Sequence, residues 1–177
     1  PSSLGSLLVK KKGKSQSGVL VITVLTSPYP KVGNKVQKFT CKWNCYYCPN
    51  EPGQPRSYLH DEPSVLRANR NSFDPVLQFH DRAMTLLMNG HPVDKIELLV
   101  LGGTWSSYPH QYQEEFIRDI FYAANTFYPR KNNDLNLRTP KSLTEEKKIN
   151  ETTQVKIIGI TLETRPDCIT ADEIKRF

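Results

Sequence analysis

Three short apolar runs divide the chain, and each predicts a buried β-strand. They read VLVITVL (19–25), IELLVLGG (96–103) and VKIIGITLE (155–163). Runs that are apolar along their whole length and rich in β-branched residues are typical of strands covered by helices on both faces. Turn-forming residues follow the first two runs closely, which favours a loop at the end of each strand.

Segments with apolar residues at every third or fourth position follow these strands and predict helices. The first helix begins at the capping residue Asp74 and ends at Gly90, with His80 packed on its apolar face. The second helix covers residues 112–127, and a proline two positions later stops it. The third helix begins in ITADEIKRF, with Thr170 as its cap.

The elements therefore alternate between strand and helix, which is the pattern of a parallel α/β sheet or barrel. We expect an α/β fold, namely a partial (βα) barrel with about three βα units in residues 19–177. Residues 129–154 are expected to form a polar insertion that is either disordered or contains a short helix, for which Ser142 and Glu145 have capping-box spacing. Chemistry in such folds collects at the carboxyl ends of the strands, so the three loops there are predicted to share one edge.

Length and composition are those of one ordinary domain with no membrane segment. The chain has 177 residues, and its longest apolar run is far shorter than the roughly 20 residues that span a bilayer. The first residues lack the order of a secretory signal, and four cysteines without such a signal indicate a reducing compartment. This predicts a cytoplasmic protein. The missing initiator Met and the end within a helix-like segment predict a fragment.

Positive charge is concentrated at the start of the chain. The first 50 residues contain eight lysines and no acidic residue, although the net charge of the whole chain is only +6. Residues 1–18 form a basic lead-in, whose alternative is a solvated tail. Because lysines without acidic neighbours stay available for phosphate, we expect RNA binding by four of them: Lys10, Lys11, Lys12 and Lys14.

Three cysteines with the spacing C-x3-C-x2-C indicate a metal site. Cys41, Cys45 and Cys48 come from one loop, CKWNCYYC, whereas structural zinc sites usually use two separated pairs of ligands. Three thiolates suit an iron–sulfur cluster with one open iron, and zinc with a fourth ligand from elsewhere is the alternative. Cys168 is expected to be a bystander thiol.

The cysteine motif, with Tyr47 before its last cysteine, resembles the signature of the radical S-adenosylmethionine (SAM) superfamily. That resemblance implies a 4Fe–4S cluster held by Cys41, Cys45 and Cys48, with SAM chelated to the free iron and cleaved to a 5′-deoxyadenosyl radical. It also implies that the glycine-rich element after the second strand contacts SAM. The residues assigned to SAM binding are Tyr47, Gly102, Gly103, Thr104, Glu163 and Arg165.

Several longer segments resemble one family, the catalytic subunit of Elongator. They are SGVLVITVLTSPYP, YYCPNEPGQPRSYLHDEPSVLRANRNSFDP, GHPVDKIELLVLGGTWSSYPHQYQEEFI and GITLETRPD, in that order. The resemblance implies a tRNA uridine(34) acetyltransferase that modifies the wobble uridine at C5 with acetyl-CoA, and partners that are tRNA and other Elongator-like subunits. It covers the radical SAM portion only. The family's C-terminal acetyltransferase domain has no counterpart here, so acetyl-CoA would bind a domain outside this chain.

Alternatives remain for the function and for single residues. The chain is alternatively a non-catalytic RNA-binding subunit with a structural metal site, or a radical SAM enzyme with another substrate. Glu163 and Arg165 are alternatively an ion pair that braces their loop, and GG is alternatively a tight packing element. Arg56, Tyr58 and Arg67 contact RNA or have a structural role. Trp105 and Tyr108 pack over the SAM adenine or in the core.

Overall fold

The computed structural model describes residues 16–132 and 137–176. The four lysines predicted to bind RNA at positions 10–14 lie outside these ranges. Five strands and six helices follow in chain order among the described residues: β1 Leu20–Leu25, β2 Lys31–Val32, β3 Lys35–Val36, α1 Pro63–Arg70, α2 Pro75–Met88, β4 Lys95–Leu101, α3 His110–Asn125, α4 Phe127–Lys131, α5 Leu143–Asn150, β5 Lys156–Leu162 and α6 Ala171–Arg176. Single 3₁₀ turns lie at Trp105–Ser107 and Pro166–Cys168.

The centre of the fold is a three-stranded parallel sheet in the order β1–β4–β5. Leu20 pairs with Ile96 and Leu25 with Leu101, so β1 and β4 end together at one edge. The three predicted strands and the α/β class are confirmed in this form. Since parallel neighbours need crossover connections, the helices between the strands cover the sheet.

The third strand is less buried than predicted. Alternate residues of β5 are open to solvent, with Ile158 54% and Ile160 38% exposed. The reason is its helical cover, because α1 and α2 both pack on β1, whereas the main helical contact of β5 is with α3. Apolar composition alone did not distinguish β5 from the better covered strands β1 and β4.

The helices α2 and α3 form the main core with the sheet. As predicted, the Asp74 carboxylate caps α2 by accepting from the backbone N–H of Leu77 at 2.8 Å. Fully buried side chains from both helices and the sheet make one cluster, which includes Ile22, Phe79, Leu98 and Ile120. Within the described ranges no helix combines the length and apolar character needed to cross a membrane.

Three local features differ from the sequence-based expectation, and one agrees with it. Pro129 does not stop a helix, because the chain turns at Thr126 and Pro129 then sits in the first turn of α4, where no N–H partner is needed. In the expected insertion, α5 is ordered by the predicted capping box of Ser142 and Glu145. The helix α1 and the β2–β3 hairpin were not predicted, since eight residues and two-residue strands are too short to show a period.

Candidate metal and cofactor site

Three loops meet at the edge of the sheet where β1, β4 and β5 end. The backbone N–H of Thr104, after β4, donates to the Thr40 carbonyl at 3.2 Å. The backbone N–H of Trp105 donates to the Glu163 carbonyl, after β5, at 2.8 Å. The structure therefore brings together the cysteine loop, the glycine pair and the ETRPD segment, as the rule for parallel sheets predicted.

The cysteine loop presents three partly exposed free thiols. Cys41 Sγ lies 3.1 Å from the Thr104 hydroxyl. The guanidinium of Arg165 donates to Cys45 Sγ at 3.1 Å and lies over the ring of Trp43, 4.4 Å from its centroid. Two of the three sulfurs thus already have hydrogen-bonding partners from the other two loops.

The cysteine thiols are suitable metal ligands by their chemistry, but they are not yet arranged around one point. Thiols are the ligands that iron–sulfur clusters and zinc prefer, and hydrogen bonds to the sulfurs stabilise their charged form. In the described part of the chain, however, no three Cys, His, Asp or Glu side chains are grouped as metal ligands. Holding a cluster therefore requires the loop to turn the sulfurs of Cys41, Cys45 and Cys48 toward one point.

The glycine pair is required by close approach of the chain to itself. Gly102 and Gly103 have φ angles of +129° and +104°, which side chains rarely tolerate. A Cβ atom at Gly102 would lie 2.1 Å from Thr26 Oγ1, and one at Gly103 would lie 2.7 Å from the Thr40 carbonyl oxygen. Both glycines therefore serve the tight packing that the sequence left as the alternative.

The carbonyls of the two glycines differ in availability. The Gly102 carbonyl accepts hydrogen bonds from the hydroxyls of Thr26, at 3.2 Å, and of Tyr108. The Gly103 carbonyl accepts none among the described residues. Of the pair, Gly103 is the one whose carbonyl remains available for a ligand.

Glu163 and Arg165 do not pair with each other as the sequence alternative supposed. Glu163 accepts from the Tyr58 hydroxyl at 2.6 Å and from the Gly102 N–H at 3.4 Å, both through Oε2. Arg165 pairs with Asp167 at 2.9 Å. The hydrogen bond to Asp167 raises the pKa of Arg165 above its ordinary value, and burial and the bond to Glu163 raise the pKa of Tyr58.

Several other candidate residues have structural contacts. Trp105 and Tyr108 are 3% exposed and pack in the core, which supports the packing alternative over adenine stacking. Arg67 donates to the Thr23 carbonyl at 2.7 Å. His80 packs against the Phe127 ring, and burial lowers its pKa.

Tyr47 and Cys168 take different positions relative to the site. Tyr47 is 85% exposed on the cysteine loop, so its ring is available to a ligand. Cys168 follows Asp167 at the same edge, partly exposed, and burial together with the charge of Asp167 raises the pKa of its thiol. The expectation of a bystander remains a prediction.

Sequence reasoning missed two buried amides that fix the site. The Gln78 side chain accepts from the Leu25 N–H and donates to the Leu25 carbonyl, both at 2.9 Å, at the end of β1. Gln113 donates to the carbonyls of Trp105 and Tyr108, after β4. Gln78 lies between Leu77 and Phe79, so a polar residue among apolar ones was its only signal, whereas Gln113 lies in a polar run that gave none.

Comparisons with known proteins found relatives by sequence and by structure. No protein-family model matches the chain. A tRNA uridine(34) acetyltransferase of Dehalococcoides mccartyi is 36% identical over 169 residues, which are 96% of this chain and 32% of that protein. Elongator complex protein 3 of Homo sapiens is 36% identical over 171 residues, which cover 91% of this chain and 28% of that protein.

A solved structure, the archaeal Methanocaldococcus infernus Elp3 with an N-terminal deletion, matches with a TM-score of 0.60 and 30% identity. The match covers 90% of this chain and 26% of that one. The chain spans about three tenths of the length of the curated relatives it matches. It is thus a homologue, along nearly all its length, of one segment of the tRNA uridine(34) acetyltransferase and Elongator complex protein 3 family.

Proposed function

We propose that this chain is the cluster-bearing part of a radical SAM enzyme that modifies the wobble uridine of tRNA at C5. The observation that carries the proposal is the junction of the C-x3-C-x2-C loop with the Gly102–Gly103 turn and the 163–167 segment. We propose that residues 19–177 form part of a (βα) barrel. The three parallel strands of the sheet support this proposal. The uridine substrate and the acetyl transfer are inferred from relatives that are named tRNA uridine(34) acetyltransferase.

Cys41, Cys45 and Cys48 are proposed to hold a 4Fe–4S cluster. When bound together, the cluster and SAM would supply the radical chemistry. The contribution of the chain is electrostatic, since the Arg165 guanidinium and the Thr104 hydroxyl lie on two of the sulfurs and offset their negative charge. Thr104 is therefore proposed to act on Cys41.

SAM would be oriented by groups at the same edge that have free acceptors or faces. Within the described ranges, the Gly103 carbonyl and Glu163 Oε1 accept no hydrogen bond. The other carboxylate oxygen of Glu163, Oε2, accepts from the Tyr58 hydroxyl. These acceptors suit the amino group and the ribose hydroxyls of SAM. Tyr47 offers an exposed ring, and Gly102 positions its neighbour without contacting the ligand through its carbonyl.

The acetyl transfer and the partners belong to the longer relatives. About seven tenths of each curated relative has no match in this chain, so acetyl-CoA is proposed to bind a separate domain. Several relatives are named Elongator complex protein 3, which supports further Elongator-like subunits and tRNA as partners. The basic lead-in, including Lys10, Lys11, Lys12 and Lys14, is proposed to contact the tRNA phosphates.

Anaerobic reconstitution with iron and sulfide tests this proposal. We expect a brown protein that contains about four irons per chain and cleaves SAM when reduced. The Cys45→Ala variant should lose the iron and the cleavage. Stoichiometric zinc without iron after anaerobic purification would overturn the proposal in favour of an RNA-binding subunit with a structural metal. Iron and SAM cleavage that tRNA leaves unaffected would indicate another substrate.

A further inference from the structure

A basic and aromatic surface lies beside the cysteine loop, outside the groups assigned above. It is built on the β2–β3 hairpin and its flanks, and we call it the hairpin surface: Tyr29, Lys31, Lys35, Lys38 and Phe39. Gln37 anchors it, because its side chain donates to the carbonyls of Phe39 at 2.7 Å and of Ser107 at 2.9 Å. The surface is therefore held to the loop that follows β4.

The described residues offer no acidic partner to the lysines of the hairpin surface. Lys31, Lys35 and Lys38 are exposed, and none of them takes part in an ion pair among the described residues. No acidic residue occurs before Glu51 in the sequence. Three uncompensated charges on one small hairpin favour a polyanion as the partner.

The rings of the hairpin surface are exposed to an unusual degree for aromatic residues. Tyr29 is 49% and Phe39 48% exposed, and neither packs against another ring in the described ranges. Exposed rings between lysines are the arrangement on which unpaired bases stack. A fully paired duplex offers its phosphates but keeps its base faces inside.

A cleft of about 240 Å³ joins the hairpin surface to the cysteine loop. Its walls include Tyr29, Lys38 and Phe39 on one side and Cys41 and Arg56 on the other. The Arg56 guanidinium donates to Asn44 Oδ1 at 2.6 Å, and its buried Nε has no hydrogen-bond partner among the described residues. The carboxylate in the lining, Glu51, is engaged by His60, with a 2.6 Å contact to its imidazole and a 2.9 Å hydrogen bond from its backbone N–H.

We propose that the hairpin surface binds unpaired nucleotides of the RNA substrate. Lys31, Lys35 and Lys38 contact the phosphates, while Tyr29 and Phe39 stack on bases. The inference rests on the proposed function. In it, this surface binds the nucleotides that flank the modified uridine in the RNA loop. The cleft then leads from the stacked bases toward the thiols at Cys41.

Binding of two RNAs to the full chain tests this assignment. The probes are a hairpin RNA with an unpaired loop and a blunt duplex of the same length and composition. The first variant is the triple K31Q/K35Q/K38Q. Its matched control is K95Q/K131Q/K148Q, which removes the same charge from exposed lysines at the opposite end of the sheet and its helices.

We expect the hairpin triple to weaken loop-RNA binding by about tenfold or more at low salt. It should also reduce the slope of log K against log salt by about 2, since each single-strand phosphate contact contributes about 0.7. The control triple should change the slope by less than half as much. The variant Y29L/F39L should weaken loop-RNA binding by about tenfold and leave duplex binding unchanged.

Three outcomes would overturn the inference. They are equal losses in the hairpin and control triples, equal affinity of the unmodified chain for loop RNA and duplex, and full competition by an acidic polypeptide, which would indicate a protein partner. SAM cleavage measured in the absence of RNA tests the proposed function alone, so its failure can be distinguished from a failure of the RNA-binding inference. Variants that cleave SAM normally but bind loop RNA as tightly as the unmodified chain refute the hairpin surface alone.

Discussion

Replacing Gly103 by alanine tests whether the glycine turn holds the cysteine loop in place. Gly103 has a φ of +104°, and an added Cβ would lie 2.7 Å from the Thr40 carbonyl oxygen and 3.0 Å from the Thr40 hydroxyl oxygen. The nearest obstacle is backbone, which cannot rotate away as a side chain does. Thr40 immediately precedes Cys41, so the displacement falls on the first cysteine of the motif.

The cost of Gly103→Ala has two parts. A residue other than glycine at such a φ costs about 1–3 kcal/mol. Moving Thr40 also removes the hydrogen bond from the Thr104 N–H, which is 3.2 Å long, and a lost bond of this kind costs about 1 kcal/mol. We therefore expect the free energy of unfolding to fall by about 2–4 kcal/mol, a large share of the roughly 5–15 kcal/mol of a typical domain.

Urea unfolding of the metal-free chain measures this change, and anaerobic iron loading provides a second readout. The control is Gly159→Ala in β5, where an added Cβ meets Glu97 Cγ at an ordinary 3.8 Å. That control should be neutral or stabilise by up to about 1 kcal/mol, because alanine reduces the freedom of the unfolded chain. A Gly103→Ala variant within about 0.5 kcal/mol of the unmodified chain would refute the assigned close approach.

Three further predictions concern the interior and the fourth cysteine. Gln78→Met should lower the free energy of unfolding in urea by about 2–4 kcal/mol, because it leaves the buried N–H and carbonyl of Leu25 unpaired; a change below about 1 kcal/mol would contradict this. Burial opposes the charge of Glu146, but hydrogen bonds led by Arg138 lower its pKa overall, so its contribution is complete at neutral pH and is lost as the pH falls through the lowered pKa. Unfolding measured from pH 7 to about 3 should show less acid destabilisation in Glu146→Gln than in the unmodified chain, and parallel curves would contradict the assignment. Cys168→Ser should keep its iron after reconstitution, and loss of the iron would make this cysteine a ligand.

The strands and long helices could be predicted because burial imposes a period on many residues at once. VLVITVL and the α2 segment each carry that signal over six residues or more, and the Asp74 cap marks where α2 begins. Short elements lack it. The β2–β3 hairpin has two residues in each strand, so nothing in its apolar pattern separates it from a loop.

The candidate site divides along a similar line. The spacing of Cys41, Cys45 and Cys48 is local and visible in the sequence, and the edge they share with Gly103 follows from the strand order. Their hydrogen-bonding partners arise from contacts over long sequence separations. Arg165 is 120 positions from Cys45, and no local pattern could show that it would contact a thiol and Asp167 rather than Glu163.

The indole of Trp43, on which Arg165 stacks, is an intrinsic fluorescence probe of the cysteine loop. Of its two tryptophans, Trp105 is 3% exposed in the core, whereas Trp43 is partly exposed in the loop that carries the thiols. Their emission maxima therefore separate, with the longer wavelength coming from the indole in contact with solvent. Because Arg165 contacts both Trp43 and Cys45, we expect the emission of Trp43 to change when the sulfurs turn toward one point, which fluorescence can measure without an added dye.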